Sequence, residues 1–267
     1  MDRRPIGVFD SGIGGLTVAH EIMRRLPGEA LIYFGDTARV PYGNKSPDTV
    51  RRYSREILQL LLSRDVKAVV VACNTASAHA LEDLRGSAPV PVVGVVEPGA
   101  RAAVAATRTG SIGVIGTAGT IRSGAYERAI RALRPAARVT QQACPLFVPL
   151  VEEGWLDRPA TRLVAHEYLD ALTTDGIDTL VLGCTHYPLL KPLLADVMGQ
   201  GIRLIDSAEE TAQAVAAELA KDGLGAPQGS TGRCHFIVSD APETFARVGA
   251  AFLGGPVKDI EMVTLGE

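Results

Sequence analysis

Short apolar runs alternate along the chain with longer stretches whose apolar residues recur at helical spacing. The runs lie at 6–9, 30–34, 68–72, 92–96, 112–115 and 179–183, and further predicted strands that include polar residues lie at 139–143, 202–205, 234–238 and 260–265. The stretches with helical spacing lie at 16–26, 47–64, 76–84, 159–173, 208–223 and 242–252. Runs that are apolar throughout are typical of parallel strands buried on both faces. The alternation therefore predicts an α/β fold with mainly parallel sheets flanked by helices.

Two of the predicted strands end at a cysteine. Ala68–Ala72 leads into Cys73-Asn74-Thr75, and Thr179–Gly183 leads into Cys184-Thr185-His186. A helical pattern follows each motif, so each thiol is predicted at a helix N-terminus, where unpaired N–H groups and the helix dipole favour a thiolate. A single cysteine after a buried strand is more often a small hydrophobic core residue. Two cysteines in matching positions, each followed by polar residues, favour a paired site.

The two halves of the chain follow one design. Gly7 and Gly113 lie at equivalent points of two short strands, and Cys73 follows Gly7 at nearly the same separation as Cys184 follows Gly113. Such a repeat predicts two pseudo-symmetric domains with the site in the cleft between them. We expect the first domain to comprise 1–97 plus 207–267 and the second to comprise 98–206. Glu97-Pro98-Gly99 would mark the crossing, and the C-terminal tail would return to the first domain.

Composition and charge argue against several classes of protein. The chain has 267 residues, a hydrophobic content of 46%, a charged content of 21% and a net charge of −3. These values are ordinary for a globular protein, and no basic run suggests nucleic acid or an anionic membrane as a partner. The N-terminus lacks the apolar segment of a signal peptide, and no stretch is long enough to span a bilayer.

The cysteines are widely spaced and form no C-x-x-C motif, so the sequence signals neither a disulfide framework nor a zinc site. We therefore expect a cytoplasmic protein without a bound metal. The cysteines and histidines outside the strand-end motifs are predicted to have structural roles. They are Cys144, Cys234, His20, His79, His166 and His235.

A glycine-rich loop, Asp10-Ser11-Gly12-Ile13-Gly14-Gly15, separates the first strand from the first helix. This order is typical of a loop that binds an anion or a small molecule at a helix N-terminus. A dinucleotide site is the weaker alternative, with Asp36 as the ribose-binding acid. The third glycine of that fingerprint falls on Thr17, and Asp10 would place a carboxylate beside the pyrophosphate. The loop therefore favours a small-molecule ligand.

Four predicted strand ends carry small polar residues, at 10–11, 73–75, 117–120 and 184–186. Ligands bind at the carboxyl ends of parallel strands, so two facing domains would bring all four to one cleft. These motifs contain no Arg or Lys, so a carboxylate ligand would bind backbone N–H groups, hydroxyls and Asn74. Two thiols on opposite faces of a carbon atom suit its inversion, because one removes a proton while the other supplies one. Asp10 and His186 are placed to tune them.

Four motifs together resemble the signatures of the bacterial glutamate racemases. They are Val8-Phe9-Asp10-Ser11-Gly12-Ile13-Gly14-Gly15-Leu16-Thr17, Val40-Pro41-Tyr42-Gly43-Asn44-Lys45-Ser46, Ala72-Cys73-Asn74-Thr75-Ala76-Ser77-Ala78 and Gly183-Cys184-Thr185-His186-Tyr187-Pro188-Leu189-Leu190. The resemblance extends to about Ser207. It implies a cofactor-independent racemase that interconverts L- and D-glutamate and supplies D-glutamate for peptidoglycan. It also implies two pseudo-symmetric α/β domains, and members of such families are often homodimers.

The resemblance also implies roles for individual residues. Cys73 would be the acid/base that acts on the D-isomer, and Cys184 the one that acts on the L-isomer. Glu152 would be a further acid behind the site. The residues expected to contact glutamate are Asp10, Ser11, Tyr42, Gly43, Asn74, Thr75, Thr185 and His186.

Four alternatives remain open from the sequence, and the last of them is the weakest. Aspartate racemases share the two cysteines but usually carry Glu in the second motif, where this chain has His186. A pyridoxal-phosphate racemase would need a Schiff-base lysine, and Lys45, on a loop, is the one lysine within the quoted motifs. A two-lobed, non-catalytic amino-acid-binding protein would explain the glycine loop and the cleft but not the paired thiols. A thiol-redox role is weaker still, because the two cysteines lie in separate motifs.

Overall fold

The computed structural model describes residues 1–266 and contains strands, α-helices and two short 3₁₀ helices. The strands are β1 Ile6–Asp10, β2 Leu31–Gly35, β3 Ala68–Val71, β4 Val92–Gly94, β5 Ser111–Gly116, β6 Arg138–Ala143, β7 Thr179–Gly183, β8 Arg203–Asp206, β9 Cys234–Val238 and β10 Ile260–Met262. The helices are α1 Leu16–Arg25, α2 Pro47–Ser63, α3 Asn74–Ser87, α4 Val96–Ala106, α5 Ala118–Ser123, α6 Ala125–Leu133, α7 Phe147–Glu152, α8 Pro159–Thr174, α9 Lys191–Met198, α10 Ser207–Lys221 and α11 Pro242–Leu253. The 3₁₀ helices are Tyr42–Asn44 and Tyr187–Leu190.

Two parallel sheets carry the fold, as the apolar runs predicted. The first sheet has six strands in the order β10-β9-β2-β1-β3-β4, and the second has four in the order β6-β5-β7-β8. Every strand pair is parallel, from β1 with β2 to β7 with β8. The residues of β1, β3, β5 and β7 are buried throughout. These four central strands are therefore covered by helices on both faces.

Strand register brings the predicted strand ends together. In the first sheet Phe9 lies opposite Val71, so the chain leaves β1 and β3 at the same edge, next to Asp10 and Cys73. In the second sheet Gly116 lies opposite Gly183, which places Thr117 beside Cys184. At the carboxyl edge of each sheet, one of the two central strands therefore ends at a cysteine and the other leads into a loop.

The C-terminal strands belong to the first sheet. β9 pairs with β2, and β10 pairs with β9, after the chain has completed the second sheet at β8. The return of the tail to the first sheet agrees with what the sequence predicted. The division into 1–97 plus 207–267 and 98–206 stays a prediction, which this sheet membership supports.

The chain passes from the first sheet to the second through a helix. Glu97-Pro98-Gly99, the expected crossing, forms the first turn of α4, which begins at Val96 and lies between β4 and β5. Proline is tolerated in a first turn because its missing N–H has no intrahelical partner there, and a glutamate favours the positive end of the helix dipole. The predicted strand at 92–96 accordingly ends at Gly94.

A second difference concerns the segment after Cys184. Cys73 is the N-cap residue of α3, as predicted, but Cys184 is followed by a turn and the four-residue 3₁₀ helix Tyr187–Leu190 before α9 begins. Pro188 and Pro192 explain the difference. A continuous α-helix would place the ring of Pro192 against the carbonyl of residue 188 and remove a backbone hydrogen bond. Cys184 therefore lacks the α-helix N-terminus that serves Cys73.

A buried ion pair ties the first sheet to its N-terminal edge. Lys67 is fully buried, and its Nζ lies 2.5 Å from Glu29 Oε2 and 2.8 Å from the carbonyl oxygen of Asp2. Glu29 also accepts a hydrogen bond from the backbone N–H of Ala226 at 2.7 Å. The pair and its partners therefore hold four separate segments of the chain together.

We expect Lys67→Ala to lower the free energy of unfolding by about 3–5 kcal/mol, because it leaves the Glu29 carboxylate buried without a cation. Urea denaturation of the purified variant measures the loss. Lys258→Ala is the control, since Lys258 is exposed and its removal should change stability by less than about 0.5 kcal/mol. A loss below about 1 kcal/mol for Lys67→Ala would contradict the prediction.

Candidate active site

One cavity lies between the carboxyl ends of the two sheets and contains both motif cysteines. Of the ten residues predicted to form the site, it is lined by all except Asp10. These nine are Ser11, Tyr42, Gly43, Cys73, Asn74, Thr75, Cys184, Thr185 and His186. Residues far apart in the sequence therefore meet at one place, on the edge of each sheet where the sequence analysis expected them.

The cavity is small because two parts of the molecule are in close contact: the part built on the first sheet, called the first half below, and the part built on the second sheet, called the second half. The cavity leaves about 30 Å³ for water-sized molecules, which is room for about two waters. Thr75 Oγ1 of the first half lies 2.8 Å from Thr117 Oγ1 of the second, and Thr17 Oγ1 donates to the carbonyl of Thr185 at 3.3 Å. Larger clefts of about 360 Å³ elsewhere, such as the one beside Glu29, contain neither cysteine.

Cys73 is a buried thiol at the start of α3. Its side chain is 6% exposed, and its Sγ lies 3.6 Å from Ser11 Oγ. Burial raises the pKa of Cys73 to about 12, and the nearby Asp10 carboxylate adds to the rise, while the backbone N–H of Ala76 in the first helical turn opposes it. Cys73 is therefore protonated at neutral pH and able to donate a proton.

Cys184 has a different neighbour. Its Sγ lies 3.9 Å from Nδ1 of His186, and Nε2 of the same ring lies 2.9 Å from Glu152 Oε1. Burial alone would lower the pKa of His186, but its hydrogen bonds to Cys184 and Glu152 outweigh burial and raise that pKa to about 10. The ring also packs edge-on against Phe252, with centroids 5.3 Å apart. A positively charged imidazolium therefore lies beside Cys184 Sγ.

The two cysteines thus occupy unlike surroundings within one cavity. A carboxylate, Asp10, lies near Cys73 and favours its neutral thiol, whereas a cation lies next to Cys184 and attracts negative charge. Cys73 is therefore a neutral thiol, and Cys184 is the cysteine with a histidine ring beside its sulfur. This is the arrangement that proton removal from one face of a carbon atom and proton delivery to the other face require.

Asp10 lies behind the cavity wall. It is fully buried, accepts a hydrogen bond from the backbone N–H of Gly12 at 2.9 Å and is 3.4 Å from Thr185 Oγ1. Burial raises the pKa of its carboxyl, while the charge of His186 opposes the rise. The placement favours an electrostatic and structural role for Asp10; its predicted contact with substrate stays a prediction.

Hydroxyl and amide groups supply the polar lining. The hydroxyls of Thr75, Thr117 and Thr120 lie within 2.8, 3.0 and 3.1 Å of one another, and Thr117 also caps α5. Asn74 is 2% exposed, and its Nδ2 has no hydrogen-bond partner among the described residues. The lining contains no Arg, Lys, Asp or Glu. Apart from His186, the polar groups of the lining are neutral, and they suit a ligand carboxylate.

Asp36 does not offer a ribose site. Its carboxylate is fully buried and accepts hydrogen bonds from the Tyr42 hydroxyl, from Ser239 Oγ at 2.9 Å and from Arg39 Nε at 2.8 Å. These contacts hold the Tyr42 ring in place at the cavity wall. Asp36 therefore stabilises the loop that carries Tyr42. Its carboxylate is not available to bind a ribose, which argues against the dinucleotide alternative.

The remaining candidates lie outside the cavity. Lys45 Nζ lies 6.0 Å from the centre of the Tyr53 ring and does not line the site. Cys144 Sγ lies 3.7 Å from the carbonyl oxygen of Gln142, and Cys234 is part of β9. Within residues 1–266 no helix is long and apolar enough to cross a membrane, and no three His, Cys, Asp or Glu side chains cluster as a metal site would require.

Sequence comparison identifies the family. The model of the Asp/Glu/Hydantoin racemase family matches residues 6–215. The chain belongs to this family. It is 57% identical to the glutamate racemase of Geobacter metallireducens over 99% of this chain and 98% of that protein.

Solved structures agree with the family assignment. Glutamate racemase isoform RacE1 of Bacillus anthracis superposes with a TM-score of 0.95 at 40% identity, covering 98% of both chains. The glutamate racemase of Francisella tularensis in complex with D-glutamate superposes with a TM-score of 0.92 at 38% identity, covering 99% of this chain and 98% of that one. The family therefore shares the arrangement of two parallel sheets described above.

Four further residues line the cavity without having been predicted. They are Val40, Pro41, Thr117 and Val148. Val40 and Pro41 lie in a motif that carried the family resemblance, and Thr117 is one of the strand-end residues, so the sequence held a signal for these three. Val148 lies in α7 and is brought to the cavity by the fold, with no local pattern to mark it.

Proposed function

We propose that the protein is a glutamate racemase that interconverts L- and D-glutamate by proton transfer at the α-carbon. The observation that carries the proposal is the pair of cysteines, Cys73 and Cys184, which lie on one cavity but on opposite sheets. The family assignment and the relatives named glutamate racemase support glutamate as the substrate. D-glutamate made in this way would enter peptidoglycan.

The mechanism uses the unlike surroundings of the two thiols. Cys184, as the thiolate beside the His186 imidazolium, removes the α-proton of L-glutamate. Cys73 donates its thiol proton to the opposite face of the carbon and is left as the thiolate. The product is D-glutamate, and the reverse reaction starts from Cys73. In each turnover one proton leaves one face of the α-carbon and another is added to the opposite face, so no redox step and no other reactant is needed.

Neutral donors stabilise the intermediate. Removal of the α-proton spreads negative charge onto the α-carboxylate, where preorganised N–H and O–H groups lower its energy. Asn74, Thr75 and Thr185 line the cavity and are suited to this task. Ser11, Tyr42 and Gly43 line the remainder of the predicted contact surface. The lining has no Lys or Arg that would hold the ground-state carboxylate as tightly as the intermediate.

Substrate entry requires the cavity to widen. Space for about two water molecules is far below the several hundred Å³ typical of small-molecule sites. Glutamate therefore binds only after the two halves separate or the loop that carries Tyr42 moves. The described structure corresponds to a closed form.

Polarimetry tests the proposal directly. Purified protein with L-glutamate and a reducing agent in D₂O, without added cofactor, should bring the optical rotation to zero and place deuterium at the α-carbon. Steady rotation together with measurable glutamate binding would instead identify a non-catalytic binding protein. Activity lost on dialysis against hydroxylamine would indicate a pyridoxal-phosphate enzyme.

Turnover of both acidic amino acids tests the choice of substrate. His186 stands where aspartate racemases usually carry Glu. The structures of an aspartate racemase and of an aspartate racemase homologue resemble this chain at only 15–16% identity, so they show a shared fold and nothing about the substrate. We expect kcat/KM for glutamate to exceed that for aspartate by at least tenfold. Equal values, or a preference for aspartate, would overturn the assignment to glutamate. A homodimer and a cytoplasmic location also stay predictions, and light scattering on the purified protein tests the first.

Glu152 should control the pH range of one direction of the reaction. Glu152→Gln removes a contact that raises the pKa of His186, so His186 loses its proton nearer neutrality and the positive charge beside Cys184 disappears. At pH 8.5 we expect the rate from L-glutamate to fall by about tenfold, with a smaller change at pH 6.5. The rate profile from pH 6 to 10 measures this. Glu153→Gln, one position along and exposed, is the control, and an unshifted alkaline limb in Glu152→Gln would contradict the prediction.

A further inference from the structure

A hydrogen bond from the second half of the molecule reaches Asn74. Tyr126 lies in α6, is fully buried, and packs in the core with Val114 and Val181 of the second sheet. Its hydroxyl donates to Asn74 Oδ1 at 2.6 Å. Because Asn74 begins α3 on the first sheet, this bond crosses between the halves next to the cavity.

The bond determines how the Asn74 amide is oriented. The amide oxygen Oδ1 accepts hydrogen bonds and the amide nitrogen Nδ2 donates them, so the phenol proton of Tyr126 pairs with Oδ1 and not with Nδ2. The Asn74 Nδ2 group is then the end left without a protein partner.

The Tyr126 ring has little freedom to move. A Cβ atom on Gly99 would lie 3.2 Å from the ring and from its hydroxyl, and one on Gly183 would lie 3.0 Å from the ring. The added Cβ atom on Gly99, in the first turn of α4, would also lie 3.3 Å from Cβ of Ser207, which begins α10, so the Tyr126 hydroxyl lies where the chain passes between the two sheets. The donor to Asn74 is therefore held in a fixed position by both crossings.

We propose that Tyr126 is a positioning residue that turns the Asn74 amide so that its N–H groups face the substrate carboxylate. Tyr126 itself does not line the cavity, so it acts through Asn74. The inference rests on the proposed racemase function and extends it to a residue outside all of the motifs that carry the family resemblance. An amide without this hydroxyl samples both orientations, and one of them presents Oδ1 to the carboxylate and repels it.

A double-mutant cycle tests the inference. Tyr126→Phe keeps the ring and removes the hydroxyl, and we expect kcat/KM to fall by about tenfold for both isomers. Asn74→Ala should lower kcat/KM further. In the Asn74→Ala background, Tyr126→Phe should change kcat/KM by less than twofold, because the group through which it acts is gone. An equal fall in both backgrounds, or no fall in the wild-type background, would overturn the proposal.

A control variant and a binding measurement distinguish this role of Tyr126 from a general effect of removing a buried hydroxyl. Tyr187→Phe removes an equally buried hydroxyl, which donates to the Cys144 carbonyl at 2.8 Å and does not line the cavity, and it should leave kcat/KM within twofold of wild type. The dissociation constant of D-glutamate, measured by calorimetry in all four proteins of the cycle, provides a readout independent of turnover. If the wild type binds glutamate without racemising it, the proposed function fails, and the binding cycle still decides the role of Tyr126.

Discussion

Cys73→Ala and Cys184→Ala should each lose racemisation by at least about 10²–10⁴-fold, the usual contribution of a positioned acid or base. Each variant retains one thiol, so it can still exchange the α-proton on one face. Cys73→Ala should introduce deuterium from D₂O into L-glutamate alone, and Cys184→Ala into D-glutamate alone. Proton NMR of the α-position, with each enantiomer supplied separately, measures both exchanges.

The matched controls are the cysteines outside the cavity. Cys234→Ala changes a partly exposed thiol in β9 and should leave racemisation within twofold of wild type. Cys144→Ala tests a buried thiol of the second sheet that does not line the site. If either single active-site variant still racemised glutamate at more than a few per cent of the wild-type rate, the two-base mechanism would have to be abandoned. If both variants exchanged the same enantiomer, the assignment of faces would be wrong.

The sequence predicted the sheets and most of the cavity because both depend on strong local patterns. Apolar runs such as 68–72 are buried on both faces, and that burial permits almost no polar residue within them. The carboxyl ends of parallel strands meet at one edge, so placing the strands also placed Ser11, Cys73 and Cys184. The two sheets and their order along the chain then followed from the repeat.

Other features depend on contacts between residues distant in sequence, which no local pattern reveals. Glu97-Pro98-Gly99 has turn-like residues but forms a helix, because α4 packs its small residues against Tyr126 and α10. The Asp10 carboxylate accepts a hydrogen bond from the backbone N–H of Gly12 and lies near Thr185, behind the cavity wall, a position that the loop motif alone did not reveal. Tyr126 gave no signal at all, since it lies in an ordinary amphipathic helix.

The sequence also did not predict that Cys73 and Cys184 would have different surroundings. The motifs suggested equivalent helix N-termini, but Pro188 and Pro192 prevent an α-helix directly after Cys184. The charge that a helix dipole would have supplied is provided instead by His186, whose charged state depends on Glu152 from α7. Similar sequence motifs thus yield different electrostatic surroundings, because tertiary contacts set the charges around each thiol.

The glycine-rich loop has a structural role beyond ligand binding, and Gly14 is its most sensitive position. The backbone of Gly14 is not in the left-handed region, so alanine could adopt the same backbone conformation without strain. A Cβ atom at Gly14, however, would overlap Thr185 Oγ1 and lie 2.5 Å from His186 Nδ1. Both are side-chain atoms of the second half of the molecule, and their hydrogen-bond partners restrain them. Thr185 Oγ1 lies 3.4 Å from Asp10 Oδ1, and Nε2 of His186 lies 2.9 Å from Glu152 Oε1.

We therefore expect Gly14→Ala to lower kcat/KM by at least about 100-fold, because it displaces His186 from Cys184 or holds the two halves apart. Overpacking should also lower the free energy of unfolding by about 1–3 kcal/mol. Steady-state kinetics and thermal unfolding measure the two effects. Gly86→Ala makes the same change in α3, where an added Cβ meets no atom within 4 Å, and it should leave activity unchanged and stability equal or slightly higher. Wild-type activity in Gly14→Ala would show that the halves need not come this close during turnover, and the closed arrangement of Thr185 and His186 would then not be the catalytic one.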